Sequence, residues 1–151
     1  MRFETVRDIV EQSRQLHQAL AAQYTELEQL TTSERAQLLL DYLARHEARL
    51  AEAMGNYERD AAPGVLESWL QYVPELDAAA VVARLRGVDL NDVEAVVAAA
   101  LAVDDHLLAV FREMEHHAAT DALRDIARSL QQIERNEEHQ LARAAFRLHD
   151  L

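Results

Sequence analysis

Cysteine is absent from this chain, which excludes disulfides, thiolate zinc sites, iron–sulfur clusters, cysteine-anchored haem and a cysteine nucleophile. Glycine and proline are scarce, at three and two residues, and aromatics make up only 5% of the chain. That poverty of turn formers and of bulky strand formers argues against a sheet-rich fold. No haem-attachment motif and no glycine-rich phosphate loop occur, so a nucleotide cofactor is not expected. Cations are also in deficit, with 15 Lys and Arg against 27 Asp and Glu and a formal net charge of −12. Nucleic acid and anionic membrane surfaces both demand clustered positive charge, so neither is an expected partner. No apolar run approaches the ~18 residues that would span a bilayer. The acidic opening MRFETVRDIVEQ lacks the pattern of a secretory signal, so the expected compartment is the cytoplasm.

What remains is Ala, Leu, Glu, Arg and Gln in a half-hydrophobic sequence, which is the composition of an all-α protein. A length of 151 residues suits one domain with its own core, and residues 1–151 are read as a single bundle. From Ala36 to Ala53 the residues Ala36, Leu39, Leu43, His46, Leu50 and Ala53 follow the three/four spacing of a buried helix face. His46 interrupts that face with an imidazole, whose burial is costly unless both ring nitrogens find partners.

The rest of the chain supplies such partners. A first helix over about 4–30 carries Val6, Val10, Ser13, His17, Leu20, Tyr24 and Leu27 on one face, and ends at Thr31-Thr32-Ser33-Glu34, where Thr31 and Glu34 have capping-box spacing. The second helix follows over about 33–59, with Gly55-Asn56 a weak point. Residues 61–90 hold both prolines and two short amphipathic stretches, and form a crossover closed by Gly87 in which Trp69, Leu70, Tyr72 and Val73 are expected to cover the core. A connection of that size lets the next helix run parallel to the second.

The third helix, over about 91–118 and capped by Asp89 or Asn91, has the face Val93, Val97, Ala100, Asp104, Leu107, Phe111, Met114 and Ala118. Val96, Val103 and Val110 widen it, which favours packing under the crossover or a homodimer. Thr120-Asp121 caps a fourth helix over about 120–148, with Glu137 central among Leu123, Ile126, Leu130, Ile133, Leu141, Ala144 and Leu148, and Glu134 on its shoulder.

Depth along the helices agrees with direction around them. His17 and His46 each stand about 14.5 residues from the centre of the first turn, and Asp104 and Glu134 about 15 from the centre of the second. His17, His46, Asp104, Glu134 and Glu137 should therefore share one interior layer. Glu47 lies ~70° off its seam as a support for His46, while His139 lies ~170° from its own and should face water. His106 and His117 also project outward, and His116 sits at a margin.

Two hairpins, a long crossover and a mid-helix polar residue on every long helix resemble the ferritin-like, rubrerythrin-type four-helix bundle across nearly the whole chain. That resemblance implies a core metal site, built in the family from Glu, Glu-x-x-His, Glu and Glu-x-x-His on successive helices. Here the corresponding positions read His17, Leu43-Ala-Arg-His46, Asp104 and Glu134-Arg-Asn-Glu137. The set is altered, and Leu43 replaces a carboxylate that commonly bridges two ions. It suits one transition-metal ion, with Fe, Zn, Mn and Cu as candidates, and oxidoreductase or metal-handling activity as the implied function. The other reading is a non-catalytic helical bundle, an interaction or structural module whose core holds a metal-free polar network. The sequence names no reaction.

Overall fold

The computed structural model describes residues 4–71 and 75–149. Four long helices, α1 (Val6–Leu30), α2 (Glu34–Asp60), α5 (Val93–His116) and α6 (Asp121–His149), pack with two short ones, α3 (Pro63–Leu66) and α4 (Ala78–Ala83). The all-helical expectation holds among the described residues, where the only strand-like pairing is one isolated antiparallel bridge, Thr5 to Trp69.

Local chemistry sets the helix ends. Thr5 caps α1 in a reciprocal box: its hydroxyl accepts from Asp8 N while Asp8 Oδ2 accepts from Thr5 N at 2.9 Å. The box expected at Thr31 and Glu34 does not form; Ser33 caps α2 by accepting from Ala36 N at 3.2 Å. Thr31 is drawn away because its hydroxyl donates to Asn91 Oδ1 at 2.6 Å, tying the first turn to the end of the crossover. For the same reason Asn91 does not cap α5. Asp92 does, accepting from Glu94 N and Ala95 N, while Asp89 closes a turn onto Asn91 N. Thr120 caps α6 through Leu123 N, as the sequence implies. Helix α2 runs through Gly55 and Asn56 without a break.

Two apolar clusters fix the helix directions. One holds Val6, Ile9 and Val10 of α1, Met54 of α2, Val110, Phe111 and Met114 of α5, and Leu123 to Leu130 of α6. The other joins the late part of α1 to the early parts of α2 and α5, and to Leu141 of α6. Hence α2 and α5 run parallel, and α1 and α6 run opposite to them. The connection between α2 and α5 achieves this by crossing the start of α1, where Val6 N donates to Ser68 O at 3.0 Å and Leu70 N to Glu4 O at 2.9 Å. It then returns to place Val81 and Leu85 in the second cluster. Gly87, at φ 78°, supplies the left-handed turn that ends it.

The expected core lid is only partly realised. Leu70 is buried, but Trp69 is 63% exposed because bridge pairing with Thr5 turns neighbouring side chains to opposite sides. Tyr72 and Val73 lie outside the described residues. On the wide face of α5, Val96, Val103 and Val110 are buried within the chain itself. No helix among the described residues is long and apolar enough to cross a membrane.

Candidate metal centre

Between the two apolar clusters lies a layer of buried polar side chains: His17 from α1, His46 and Glu47 from α2, Asp104 from α5 and Glu134 from α6, each no more than 1% exposed. Their elements put them there for ordinary reasons of helical period, since each replaces an apolar residue at a core-facing position. Ser13, one turn before His17, is a packing residue whose hydroxyl back-bonds to Ile9 O at 2.8 Å.

The pairing is specific. His17 is held between two carboxylates, with Nδ1 2.5 Å from Glu47 Oε2 and Nε2 2.6 Å from Glu134 Oε1. His46 has Nδ1 3.1 Å from Glu137 Oε2 and Nε2 3.2 Å from Asp104 Oδ2. Its Nε2 also stands 4.0 Å from Glu47 Oε1. The two histidines thus flank Glu47. At the outer edge Arg49 Nε donates to both oxygens of Glu137, at 3.2 and 3.3 Å.

Charge decides which protons the layer keeps. Burial disfavours a charged His17, but the negative charges of Glu134 and Glu47 outweigh it and raise its pKa well above the usual value. Burial likewise opposes charge on His46, yet hydrogen bonds to Asp104 and Glu137 lift it to about 9. Asp104 is pushed up to about 7, chiefly by burial, against the lowering pull of His46. Burial also raises Tyr24 well above its usual range, helped by Glu47 and Asp104. Glu137 is lowered: its partial burial is overcome by hydrogen bonds from His46 and Arg49.

Four carboxylates around two imidazoles leave the layer short of donors. Asp104 Oδ1, Glu134 Oε2 and the Tyr24 hydroxyl are all enclosed without a hydrogen-bond partner, an arrangement that is costly for a carboxylate unless a proton or cation supplies the missing charge. His46, Glu47 and Asp104 form a group that could hold a metal ion, each offering one ligand atom and all three atoms within 4.8 Å of one another.

All five residues singled out by seam and depth, His17, His46, Asp104, Glu134 and Glu137, reach this layer. Two details differ. Glu134 is the central carboxylate of α6 and Glu137 is the outer one, its side chain 13% exposed, because the buried arc of α6 runs through Ala127, Leu130, Glu134 and Leu141. Glu47, assigned to a supporting place, belongs to the tight group. A second stripe of three/four spacing, Ala36, Leu40, Leu43, Glu47, Leu50 and Met54, is fully buried on α2 and contained the signal. His139 and His117 are exposed, as their angles imply; His116, placed at a margin, is exposed too, and His106, expected to project outward, is half-buried beside Arg84.

Compared with protein-family models, curated proteins and solved structures, the chain has no match.

Proposed function

We propose that the polar layer is a site for one divalent transition-metal ion and that the chain is a metal-binding helical bundle of ferritin-like type, with an altered His/carboxylate set, acting in redox chemistry or metal handling. The observation that carries this reading is the pair of donor-starved oxygens, Asp104 Oδ1 and Glu134 Oε2, beside the His46, Glu47 and Asp104 group. His46 would ligate through Nε2 while its Nδ1–H remains on Glu137, the relation by which ligating histidines are commonly oriented. Arg49 in turn fixes Glu137. With His17 engaged on both nitrogens, the tight group offers one imidazole and two carboxylates. That balance favours Zn²⁺, Fe²⁺ or Mn²⁺ over Cu²⁺. A bound ion would supply Lewis acidity and, if iron or manganese, a redox couple.

The rival reading, a structural bundle with a metal-free network, draws on one observation of its own: all four imidazole nitrogens already have carboxylate partners. Elemental analysis of tag-free protein separates the two. Near-stoichiometric metal is expected, abolished by His46→Ala and by Asp104→Asn and retained in His139→Ala. Trace metal only, with a melting temperature indifferent to chelator and to added Zn²⁺, Fe²⁺ or Mn²⁺, would favour the network.

A further inference from the structure

A groove of about 910 Å³ lies against α2 and α6, lined by Tyr42, Arg49, Gln140, Arg143, Phe146 and Arg147 together with Ala142. Its charge runs against the rest of the molecule: among the described residues three guanidiniums and no carboxylate line it, in a chain of net charge −12. Arg143 and Arg147 are one helical turn apart on α6, where like charges repel, and neither has an ion-pair partner among the described residues. A helix C-terminus attracts cations and accounts for Arg147; it does not account for Arg49 in the body of α2. The apolar component is equally exposed. Phe146, 69% accessible, is one of four large hydrophobic side chains left open to solvent among the described residues, and Tyr42 lies under the Arg49 guanidinium at 5.4 Å.

We infer that this groove binds a small amphiphilic organic anion, its carboxylate or phosphate group held by Arg143, Arg147 and Arg49 and its apolar body laid against Phe146 and Tyr42. Guanidinium forks match the two oxygens of a carboxylate or phosphate, and the groove has the size of small-molecule sites, roughly 300–1,000 Å³. A bilayer is a poorer occupant, because the acidic remainder of the surface is repelled by anionic lipid. The site also adjoins the polar layer. Arg49 shares Glu137 with His46, so an anion drawn to Arg49 competes with Glu137, the residue that orients His46.

The inference does not rest on a metal being bound, and its test needs none. Octanoate and octyl phosphate are titrated into the full chain by calorimetry or NMR, alongside octanol, octylammonium, acetate and inorganic phosphate. Saturable binding of octanoate or octyl phosphate is expected, weakened about tenfold or more by the double variant Arg143→Ala/Arg147→Ala and by Phe146→Ser. Both variants alter exposed side chains and should keep the parent's helicity and melting temperature. Equal binding of octylammonium or octanol would overturn the inference. So would acetate or inorganic phosphate binding as tightly as octanoate, octanoate affinity unmoved by both variants, or association with anionic vesicles alone.

Discussion

His17 Nδ1 lies 2.5 Å from Glu47 Oε2 across the α1/α2 seam, both side chains enclosed to within 1%. An imidazolium so placed depends on its carboxylates, since burial cuts its charge off from bulk solvent. Glu47→Ala should therefore cost about 3–5 kcal/mol of stability, the usual penalty for stranding a buried charge. Glu47→Gln, which keeps an acceptor oxygen, should cost less. Urea unfolding near neutral pH measures both, and an alanine cost below about 0.5 kcal/mol, typical of surface changes, would show that the pair does not form in solution.

The layer also fixes how stability follows pH in chelated protein. His46 titrates at about 9 in the fold against 6.5 for the free side chain, so its stabilisation is complete below about pH 6.5 and is lost as pH rises through 9. Asp104, raised from 3.8 to about 7, has the same sign over the lower window. Glu137, lowered from 4.5, acts oppositely but only as pH falls below that value. Metal-free protein should thus lose on the order of a few kcal/mol between about pH 5 and 9, at ~1.4 kcal/mol per unit. Added metal should reverse the trend, because His46 must shed its Nε2 proton to ligate. Parallel pH slopes with and without Zn²⁺ would contradict a site on His46.

Tyr24 offers a test in which the variant should do no harm. Its hydroxyl is buried with no hydrogen-bond partner, so Tyr24→Phe removes a desolvated polar atom and leaves the ring's packing intact. Chelated Tyr24→Phe should be as stable as the parent or up to about 1 kcal/mol more so. A loss above that size in urea unfolding would mean that the phenol donates to a buried carboxylate in solution.

Trp69 is the sole tryptophan, and it is 63% exposed beside the buried Leu70. Native fluorescence should be red-shifted and readily quenched by iodide or acrylamide, and should change little on unfolding. Leu70→Ala should cost about 2–5 kcal/mol, whereas Trp69→Ala should cost well under that. A blue-shifted, quencher-resistant native spectrum would restore the core-lid role that the sequence suggests.

Helical period and hairpin arithmetic by themselves determined the four long helices, the crossover that makes α2 and α5 parallel, and the common depth of His17, His46, Asp104, Glu134 and Glu137. These follow from local geometry: a residue's angle around its helix and its distance from a turn are countable along the chain. Only the tertiary structure decided the rest. A seam reading gives each helix one narrow face, but α2 packs against α1 on one side and α5 and α6 on another, so its buried arc is wide enough to enclose Glu47 beside His46. Glu134 displaced Glu137 as the central carboxylate for the same reason. Caps shifted from Thr31 to Ser33 and from Asn91 to Asp92 because Thr31 and Asn91 bond each other across 60 residues. Such a bond has no local signature, since it forms only when separate helices bring their ends together.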